Sequence, residues 1–169
     1  SEIVSLLESV GLGREVLDKY PCQLSGGQCQ RVMIAMALSR HPDLLIADEP
    51  TTALDVTTQK EVLDLIDSLA KSRRMSVLLI THNLGLVADY SDFVYVMYAG
   101  SFVEFGAAER VLKTPYHPYT RALLDAVPRL NAPKDAPLRG IKGVVPPAWA
   151  WPEGCAFKDR CPYAEEFSC

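Results

Sequence analysis

The 169-residue sequence has few of the features expected of a membrane-spanning, secreted or nucleic-acid-binding protein. Uncharged apolar stretches such as residues 77–88 and 93–103 are too short to cross a bilayer, and no signal peptide opens the chain. No run of lysine or arginine occurs, and the net charge of -4 argues against broad nucleic-acid binding. We therefore expect a cytosolic protein or cytosolic subunit without a nucleic-acid partner.

The sequence also lacks a Gly-x-x-x-x-Gly-Lys-Ser/Thr phosphate loop, although it contains part of a phosphate-binding arrangement. Ser25, Gly26 and Gly27 precede an apolar stretch that predicts a largely buried helix over residues 28–40, with Ser25 as the N-cap. Free N–H groups at a helix N-terminus attract anions, and glycine leaves room for a phosphate to approach. The chain thus has half of a phosphate site and lacks the half that carries the neutralising lysine.

The composition predicts one globular domain, because 49% of the residues are hydrophobic and 22% are charged. The chain begins without methionine and ends on a cysteine. Both ends look cut, so we expect a fragment of a longer protein.

Two short apolar runs predict a parallel sheet. "DLLIAD" (43–48) and "MSVLLIT" (75–81) do not alternate with polar residues, which is typical of strands covered on both faces. Apolar residues at helical spacing lie between them, preceded by a Thr58–Glu61 capping box. A strand, a helix and a strand of these lengths predict a βαβ unit, so the fold class is α/β.

The second half of the chain predicts a hairpin and short helices. Two strands flank a tight turn at residues 99–101, and helices follow over 107–113 and 119–126. Beyond Pro128 the sequence is rich in proline, which predicts a linker or an irregular appendage.

Three ionisable side chains follow the two predicted parallel strands. Asp48 and Glu49 end the first strand and His82 ends the second, so all three lie at the edge where open α/β sheets bind ligands. An aspartate there can hold Mg²⁺, a glutamate can orient an attacking water, and an imidazole can contact a phosphate. Taken singly, a solvated strand end and a structural or exposed histidine are the simpler interpretations.

Together, "LSGGQ", "LLIADEPTTALD" and "LLITH" resemble the signature, the Walker B strand with its D-loop, and the switch histidine of ABC ATPases. The resemblance implies the C-terminal part of a P-loop (RecA-like) ATPase domain that binds ATP and Mg²⁺. It implies that Asp48 takes part in Mg²⁺ binding through water, that Glu49 is the general base and that His82 senses the γ-phosphate. Asn83 departs from the family, in which an aspartate usually follows the histidine.

The resemblance also answers why half a phosphate site is present. In ABC ATPases the signature of one subunit closes over the nucleotide held by the phosphate loop of a second subunit. Ser25, Gly26, Gly27 and Gln28 would therefore contact the γ-phosphate in trans. The Ala53-Leu54-Asp55 loop would communicate across the dimer. Without a phosphate loop, we expect the 169-residue chain alone to be inactive as an ATPase.

The tail narrows the resemblance to one group. "VMYAGSFVEFG", "TPYHPYTRALLDAVPRL" and "GCAFKDRCPYAEEFSC" resemble the ATP-binding subunits of bacterial and archaeal oligopeptide, dipeptide and nickel importers. This implies a peripheral motor on the cytoplasmic face of the inner or plasma membrane. Its partners would be a second ATPase subunit, two membrane-spanning permease subunits and, indirectly, an extracellular binding protein. The alternative is a non-transport ABC ATPase of DNA repair or translation, which would lack such a tail.

The resemblance predicts three regions along the chain. Residues 1–24 would end the helical subdomain, residues 25–113 would form the ATPase core, and residues 114–169 would form the transporter-type extension. The helix over 119–126 would dock on the core through an apolar stripe that includes Val127.

Three cysteines crowd the extension. Cys155, Cys161 and Cys169 are separated by five and seven residues, unlike the Cys-x-x-Cys pairs of zinc ribbons. The resemblance implies a four-iron four-sulfur cluster, which needs a fourth thiolate from elsewhere. Zinc and free thiols are the second and third interpretations.

Overall fold

A computed structural model describes residues 2–127 and 140–164, which divide in sequence into two compact units between His82 and Asn83. The first unit contains α1 (Glu2–Ser9), α2 (Gly26–Leu38), β1 (Leu44–Asp48), α3 (Val56–Arg73) and β2 (Ser76–Ile80), with 3₁₀ helices at Arg14–Asp18 and Pro21–Gln23. The second contains α4 (Leu84–Tyr90), β3 (Phe93–Tyr98), β4 (Ser101–Ala107), α5 (Ala108–Lys113) and α6 (Pro118–Ala126), with 3₁₀ helices at Ala148–Ala150 and Lys158–Arg160.

The first unit contains the predicted βαβ arrangement. β1 pairs in parallel with β2, with Leu44 opposite Ser76 and Asp48 opposite Ile80. The α/β class is therefore confirmed. The helices and β1 share an apolar core. Its buried members are Leu7, Val10, Leu12, Val16, Ile34, Ala35, Leu38, Leu45, Val62, Ile66, Leu69 and Met75.

Burial of these elements is one-sided, in contrast to the sequence expectation. Along β1 the side chains alternate, so Leu45 is buried whereas Ile46 is 60% exposed. On α2 the side chain of Met36 is 68% exposed. The predictions of strands covered on both faces and of a largely buried α2 are therefore wrong for the described residues. An uninterrupted apolar run indicates that both faces of a strand could be buried, but the described helices pack on only one face of β1.

Helix α3 begins earlier than predicted. Its N-cap is Asp55, whose side chain accepts a hydrogen bond from the Thr58 N–H at 3.0 Å. The predicted Thr58–Glu61 capping box is therefore wrong, because Asp55 already satisfies that N–H. Glu61 instead forms a 3.1 Å ion pair with Arg31 and so connects α3 to α2.

The second unit contains the predicted hairpin. β3 and β4 are antiparallel, and the two residues between them, Ala99 and Gly100, have φ angles of 47° and 79°. Two consecutive left-handed residues are typical of the type I′ turn, whose twist matches that of a hairpin. Helix α4 was not predicted. It is only seven residues long, and its N-cap is Asn83, whose side chain accepts a hydrogen bond from the Gly85 N–H at 3.0 Å.

The C-terminal extension packs on the hairpin through aromatic rings. Tyr119 of α6 lies 4.6 Å from Tyr98 of β3, and Phe157, which is 1% exposed, lies 5.2 Å from Tyr98, both measured between ring centroids. Val127, expected in the docking stripe, is 43% exposed, because the contact is made by the first turn of α6. The predicted linker or appendage lies outside the described residues over 128–139, and residues 140–164 are irregular apart from the two 3₁₀ helices. No described helix combines the length and the apolar character needed to span a bilayer.

Candidate active site

The ends of β1 and β2 bring Glu49 and His82 together. Asp48 is paired with Ile80 in the parallel register, and the Glu49 N–H donates to the Ile80 carbonyl at 2.9 Å. This extra bond carries the pairing one residue past the strand. The Glu49 Oε1 atom then lies 2.6 Å from His82 Nδ1. The two side chains predicted at the sheet edge thus form a direct hydrogen bond.

The backbone of Glu49 has a left-handed conformation, with φ of 46°. A non-glycine residue pays about 1 kcal/mol or more for this conformation. The turn is held by the bond to Ile80 and by the Thr52 N–H, which donates to the Glu49 carbonyl at 3.1 Å. Strained residues of this kind concentrate at functional sites, where the surroundings hold a side chain in a particular direction.

A second donor completes the environment of the Glu49 carboxylate. The Thr52 hydroxyl donates to Oε2 at 2.9 Å, while His82 occupies Oε1. These hydrogen bonds, first from His82 and then from Thr52, lower the pKa of Glu49 below its usual value of 4.5. The carboxylate is therefore ionised at neutral pH, and the His82 Nδ1–H is the donor in the pair. The Glu49 side chain remains 39% exposed, so water reaches it.

Asp48 lies at the exposed carboxyl end of β1, next to Glu49. Carboxylate oxygens suit Mg²⁺, which usually takes one or two of them together with phosphate oxygens and water. Across residues 2–127 and 140–164 no three His, Cys, Asp or Glu side chains converge on a metal position. A single exposed carboxylate is compatible with the way proteins usually hold Mg²⁺, so the role of Asp48 in Mg²⁺ binding stays a prediction.

The loop between β1 and α3 is held by one side chain of the helix. Gln59 Nε2 donates to the carbonyls of Thr51 and Leu54, both at 3.2 Å. Asp55 ends the loop and caps α3, and hydrogen bonds from the Thr58 N–H and then its hydroxyl lower the pKa of Asp55. The predicted dimer-communication loop is thus fixed at both ends from α3.

The glycine turn forms a closed cap at the start of α2. Ser25 Oγ accepts from the Gln28 N–H at 3.2 Å, and Gln28 Oε1 accepts from the Ser25 N–H at 3.0 Å. This reciprocal capping box uses both polar side chains of the turn. The N–H groups of Gly26 and Gly27 make no hydrogen bond to any described residue. These two donors fit the phosphate contact that the sequence predicts for the turn.

The cysteine prediction is not supported by the described residues. Cys155 Sγ lies 3.8 Å from His117 Nε2, and Cys161 is a second free thiol. Cys169 lies outside the described residues. In the part of the chain that is described, no third donor joins Cys155 and His117 in a metal-binding group. Because Cys169 is not among these residues, the four-iron four-sulfur cluster stays a prediction.

Sequence reasoning missed Thr52 and Gln59, and it gave Thr58 the wrong partner. Their contacts depend on the left-handed turn at Glu49 and on the early start of α3, and neither follows from hydrophobic periodicity. The signal that was present is local: Thr52 stands three residues after Glu49, and Thr58 stands three residues after Asp55.

Comparison with known proteins identifies related families at both ends of the chain. A family model described as "ABC transporter" matches residues 1–52, and one described as "Oligopeptide/dipeptide transporter, C-terminal region" matches residues 103–169. Among solved structures, cbiO1 from Clostridium perfringens, part of the ABC transporter complex cbiONQ, matches with a TM-score of 0.61 at 32% identity, covering 67% of this chain and 45% of that one. The ATP-binding cassette MJ0796, bound to ADP and Pi in a dimeric post-hydrolysis state, gives 0.56 at 29% identity, covering 63% and 46%.

Curated relatives are more similar in sequence. The dipeptide transport ATP-binding protein DppD of Haemophilus influenzae is 49% identical over 97% of this chain and 50% of its own length. The oligopeptide transport ATP-binding protein AppD of Bacillus subtilis is 50% identical over 95% and 49%. The chain therefore spans about half the length of the curated relatives it matches.

The paired parallel strands, the Glu49–His82 contact and these structural matches define the class as an ABC ATPase domain. The match over residues 103–169 and the identities near 50% give the narrower assignment. The chain belongs to the family of ATP-binding subunits of oligopeptide and dipeptide ABC transporters.

Proposed function

We propose that this chain supplies the signature and the hydrolytic residues of an ATP-driven subunit that powers peptide import. The observation that carries the proposal is the 2.6 Å contact between Glu49 and His82 at the ends of two paired parallel strands. The names of the relatives, dipeptide and oligopeptide transport ATP-binding proteins, support a transport role. The match of the C-terminal region favours it over an ATPase of DNA repair or translation.

In the proposed reaction, Glu49 is the general base. Its ionised carboxylate accepts a proton from water as the water oxygen bonds to the γ-phosphorus. The bond from that phosphorus to the β–γ bridging oxygen breaks, and ADP and inorganic phosphate leave. Asp48 would help to hold a Mg²⁺ ion, which would neutralise charge on the phosphates when bound. His82 holds the carboxylate through Nδ1–H, and its ring contacts the γ-phosphate from the same sheet edge.

The glycine turn acts on the nucleotide of a second subunit in this proposal. The free N–H groups of Gly26 and Gly27 bind the γ-phosphate held by the partner's phosphate loop, and Ser25 and Gln28 keep the turn in shape. The loop that ends in Asp55 meets the partner subunit. Two such subunits close on ATP beneath two permease subunits at the cytoplasmic face of the membrane, and an extracellular binding protein delivers the substrate.

Because residues 1–169 contain no phosphate loop, we expect the chain alone to hydrolyse no ATP. A colorimetric assay of released phosphate on the purified chain measures this directly. Turnover that disappears in Glu49→Gln would sink this expectation, because the chain would then hold and cleave ATP unaided.

The function is tested by uptake into cells that carry the complete transporter. Glu49→Gln should abolish uptake of labelled dipeptides or oligopeptides, since the amide accepts no proton. The matched control is Glu109→Gln, the same change in an exposed carboxylate that pairs with Lys113 at 2.8 Å, which should transport normally. Peptide uptake that persists in Glu49→Gln would overturn the proposal. Running labelled nickel in parallel assigns the substrate class.

The cysteines stand apart from this proposal. An iron–sulfur cluster would need Cys169 and a further ligand in addition to Cys155 and Cys161. Metal analysis and a visible absorption spectrum of the purified full-length protein, with and without Cys155→Ser, decide between a cluster, zinc and free thiols.

A further inference from the structure

The starts of α2 and α3 approach each other unusually closely. A Cβ atom placed on Gly27 would lie 2.6 Å from the Thr58 Cγ2 methyl, and one placed on Gly26 would lie 3.2 Å from Leu54 Cδ2. Atoms of two packed side chains do not approach to 2.6 Å, so Gly27 permits this contact only because it has no side chain. Within a single chain, Gly26 thus faces the loop that ends in Asp55, and Gly27 faces the first turn of α3.

Thr58 contacts both the glycine turn and Asp55, with different parts of one residue. Its hydroxyl donates to Asp55 Oδ2 at 2.7 Å and its N–H donates to Asp55 Oδ1 at 3.0 Å. Its methyl lies against Gly27. A threonine in a helix has two common χ1 rotamers, and the hydroxyl bond selects one of them. The bond to Asp55 therefore also fixes where the methyl lies.

We propose that Thr58 is a positioning residue that couples the glycine turn, residues 25–28, to the loop that ends in Asp55. A partner subunit that moves Asp55 would thereby move the Gly26 and Gly27 N–H groups. The need for glycine at position 27 arises from this contact inside the chain as well as from access of a phosphate. The inference rests on the proposed function, because it concerns how the two halves of that site are held in register.

The chain allows matched variants that separate the two parts of Thr58. Thr58→Val keeps the methyl and the shape but removes the hydroxyl. Thr58→Ser keeps the hydroxyl and removes the methyl. Gly27→Ala inserts a methyl where Thr58 Cγ2 lies, and the double variant Gly27→Ala/Thr58→Ser gives that space back.

The test is steady-state ATP hydrolysis by the complete transporter carrying each variant. Gly27→Ala should lower kcat by about tenfold or more, as overpacking of a close contact does. The double variant should recover to within about threefold of Thr58→Ser alone. A double variant as slow as Gly27→Ala would overturn the inference, because the glycine would then be required only for the nucleotide.

The hydroxyl is tested separately by the kinetic constants. Thr58→Val should lower kcat by roughly two- to tenfold, the value of one typical hydrogen bond, and leave the KM for ATP unchanged. A purely structural loss would lower the active fraction in proportion to the fall in thermal stability, so Tm is measured for every variant. Thr58→Val with the kcat of the unsubstituted protein would contradict the coupling.

Two controls keep this inference distinct from the proposed function. If the Glu49→Gln transporter hydrolyses ATP as fast as the unsubstituted transporter, the proposed function fails. The packing contact is then still tested by the Tm values of the unsubstituted protein, the two single variants Gly27→Ala and Thr58→Ser, and the double variant. In this set Thr58→Ser should offset the destabilisation caused by Gly27→Ala. Additive Tm changes would overturn it.

Discussion

Each oxygen of the Glu49 carboxylate has its own hydrogen-bond donor, His82 Nδ1 at 2.6 Å and the Thr52 hydroxyl at 2.9 Å. A side chain that is 39% exposed would otherwise rotate freely. The two donors fix its direction, and both favour the charged form, which is why its pKa is lowered. Orientation and charge of the proposed base thus depend on a histidine from one strand end and a threonine from the next turn.

Thr52→Val removes one of these donors without changing the shape of the side chain. We expect kcat for ATP hydrolysis by the complete transporter to fall roughly two- to tenfold, because one oxygen of the base is then free to rotate. Thr52→Ser keeps the hydroxyl and is the matched control. Equal rates in Thr52→Val and Thr52→Ser would show that the hydroxyl does not position the base.

The same variant changes the pH dependence in a defined direction. The pKa of Glu49 is lowered, so in the unsubstituted protein the carboxylate stays ionised down through pH 4.5 and is protonated only below it. The acid limb that Glu49 contributes to kcat/KM therefore lies below pH 4.5. Loss of the Thr52 donor should shift this limb upward. A limb that shifts downward in Thr52→Val would contradict the assignment.

At the scale of elements, the extension is anchored to the hairpin by one buried carboxylate. The Glu104 side chain on β4 is 4% exposed and accepts from the N–H groups of Tyr116 and His117, each at 3.0 Å. Arg110 on α5 donates to it at 3.0 Å as well. Burial alone would raise the pKa of Glu104, but these hydrogen bonds outweigh burial and lower it. A single side chain thus holds the start of α6 and the middle of α5.

Glu104→Gln should lower the free energy of unfolding by about 2 kcal/mol at neutral pH, because a buried charge-assisted set of hydrogen bonds is weakened. Because the pKa of Glu104 is lowered in the folded protein, its ionised form stabilises the fold at pH values above the ordinary pKa of 4.5. This contribution is lost as the pH falls through the lowered pKa of the folded state. The difference between the two proteins should therefore shrink below pH 4.5. Urea denaturation at neutral pH and below pH 4.5 measures this difference in the free energy of unfolding.

The control for this experiment is Glu109→Gln, which changes an exposed carboxylate on α5 and should leave the urea midpoint unchanged. An equal midpoint for Glu104→Gln and the unsubstituted protein at neutral pH would mean that the extension is held by its aromatic contacts alone.

Elements could be predicted where hydrophobic period and turn residues agree. β1, β2 and the hairpin turn at Ala99 and Gly100 follow from short apolar runs and from glycine. The start of α3 and the existence of α4 could not be read in this way. Both helices have a side-chain N-cap, Asp55 for α3 and Asn83 for α4. Whether such a side chain caps a helix depends on the geometry of the irregular backbone before it, which the sequence pattern does not give.

Within the site, the sequence places residues better than it describes their contacts. Asp48, Glu49 and His82 could be assigned to one sheet edge because they end parallel strands. Thr52 and Thr58 could not be assigned, because their roles depend on the left-handed turn at Glu49 and on a contact between two helices far apart in sequence.

At the scale of the whole molecule, β1 and α2 in the first unit each keep apolar side chains exposed on one face within the described residues. Ile46 and Met36 are 60% and 68% exposed, whereas their neighbours Leu45 and Ala35 are buried. The chain spans about half the length of its curated relatives. The sequence shows that both faces of these elements are apolar. Which face is covered depends on how the described residues pack, and this could not be read from the sequence.

The most direct test of the central claim is a single-turnover measurement of ATP hydrolysis by the complete transporter that carries this chain, with Glu49 either intact or replaced by Gln. We expect the Glu49→Gln transporter to bind ATP as before and to cleave it at least about a hundredfold more slowly, since a positioned general base contributes at least that factor. Glu109→Gln should cleave at the normal rate. Unchanged cleavage in Glu49→Gln would contradict the claim that the Glu49–His82 pair is the hydrolytic centre.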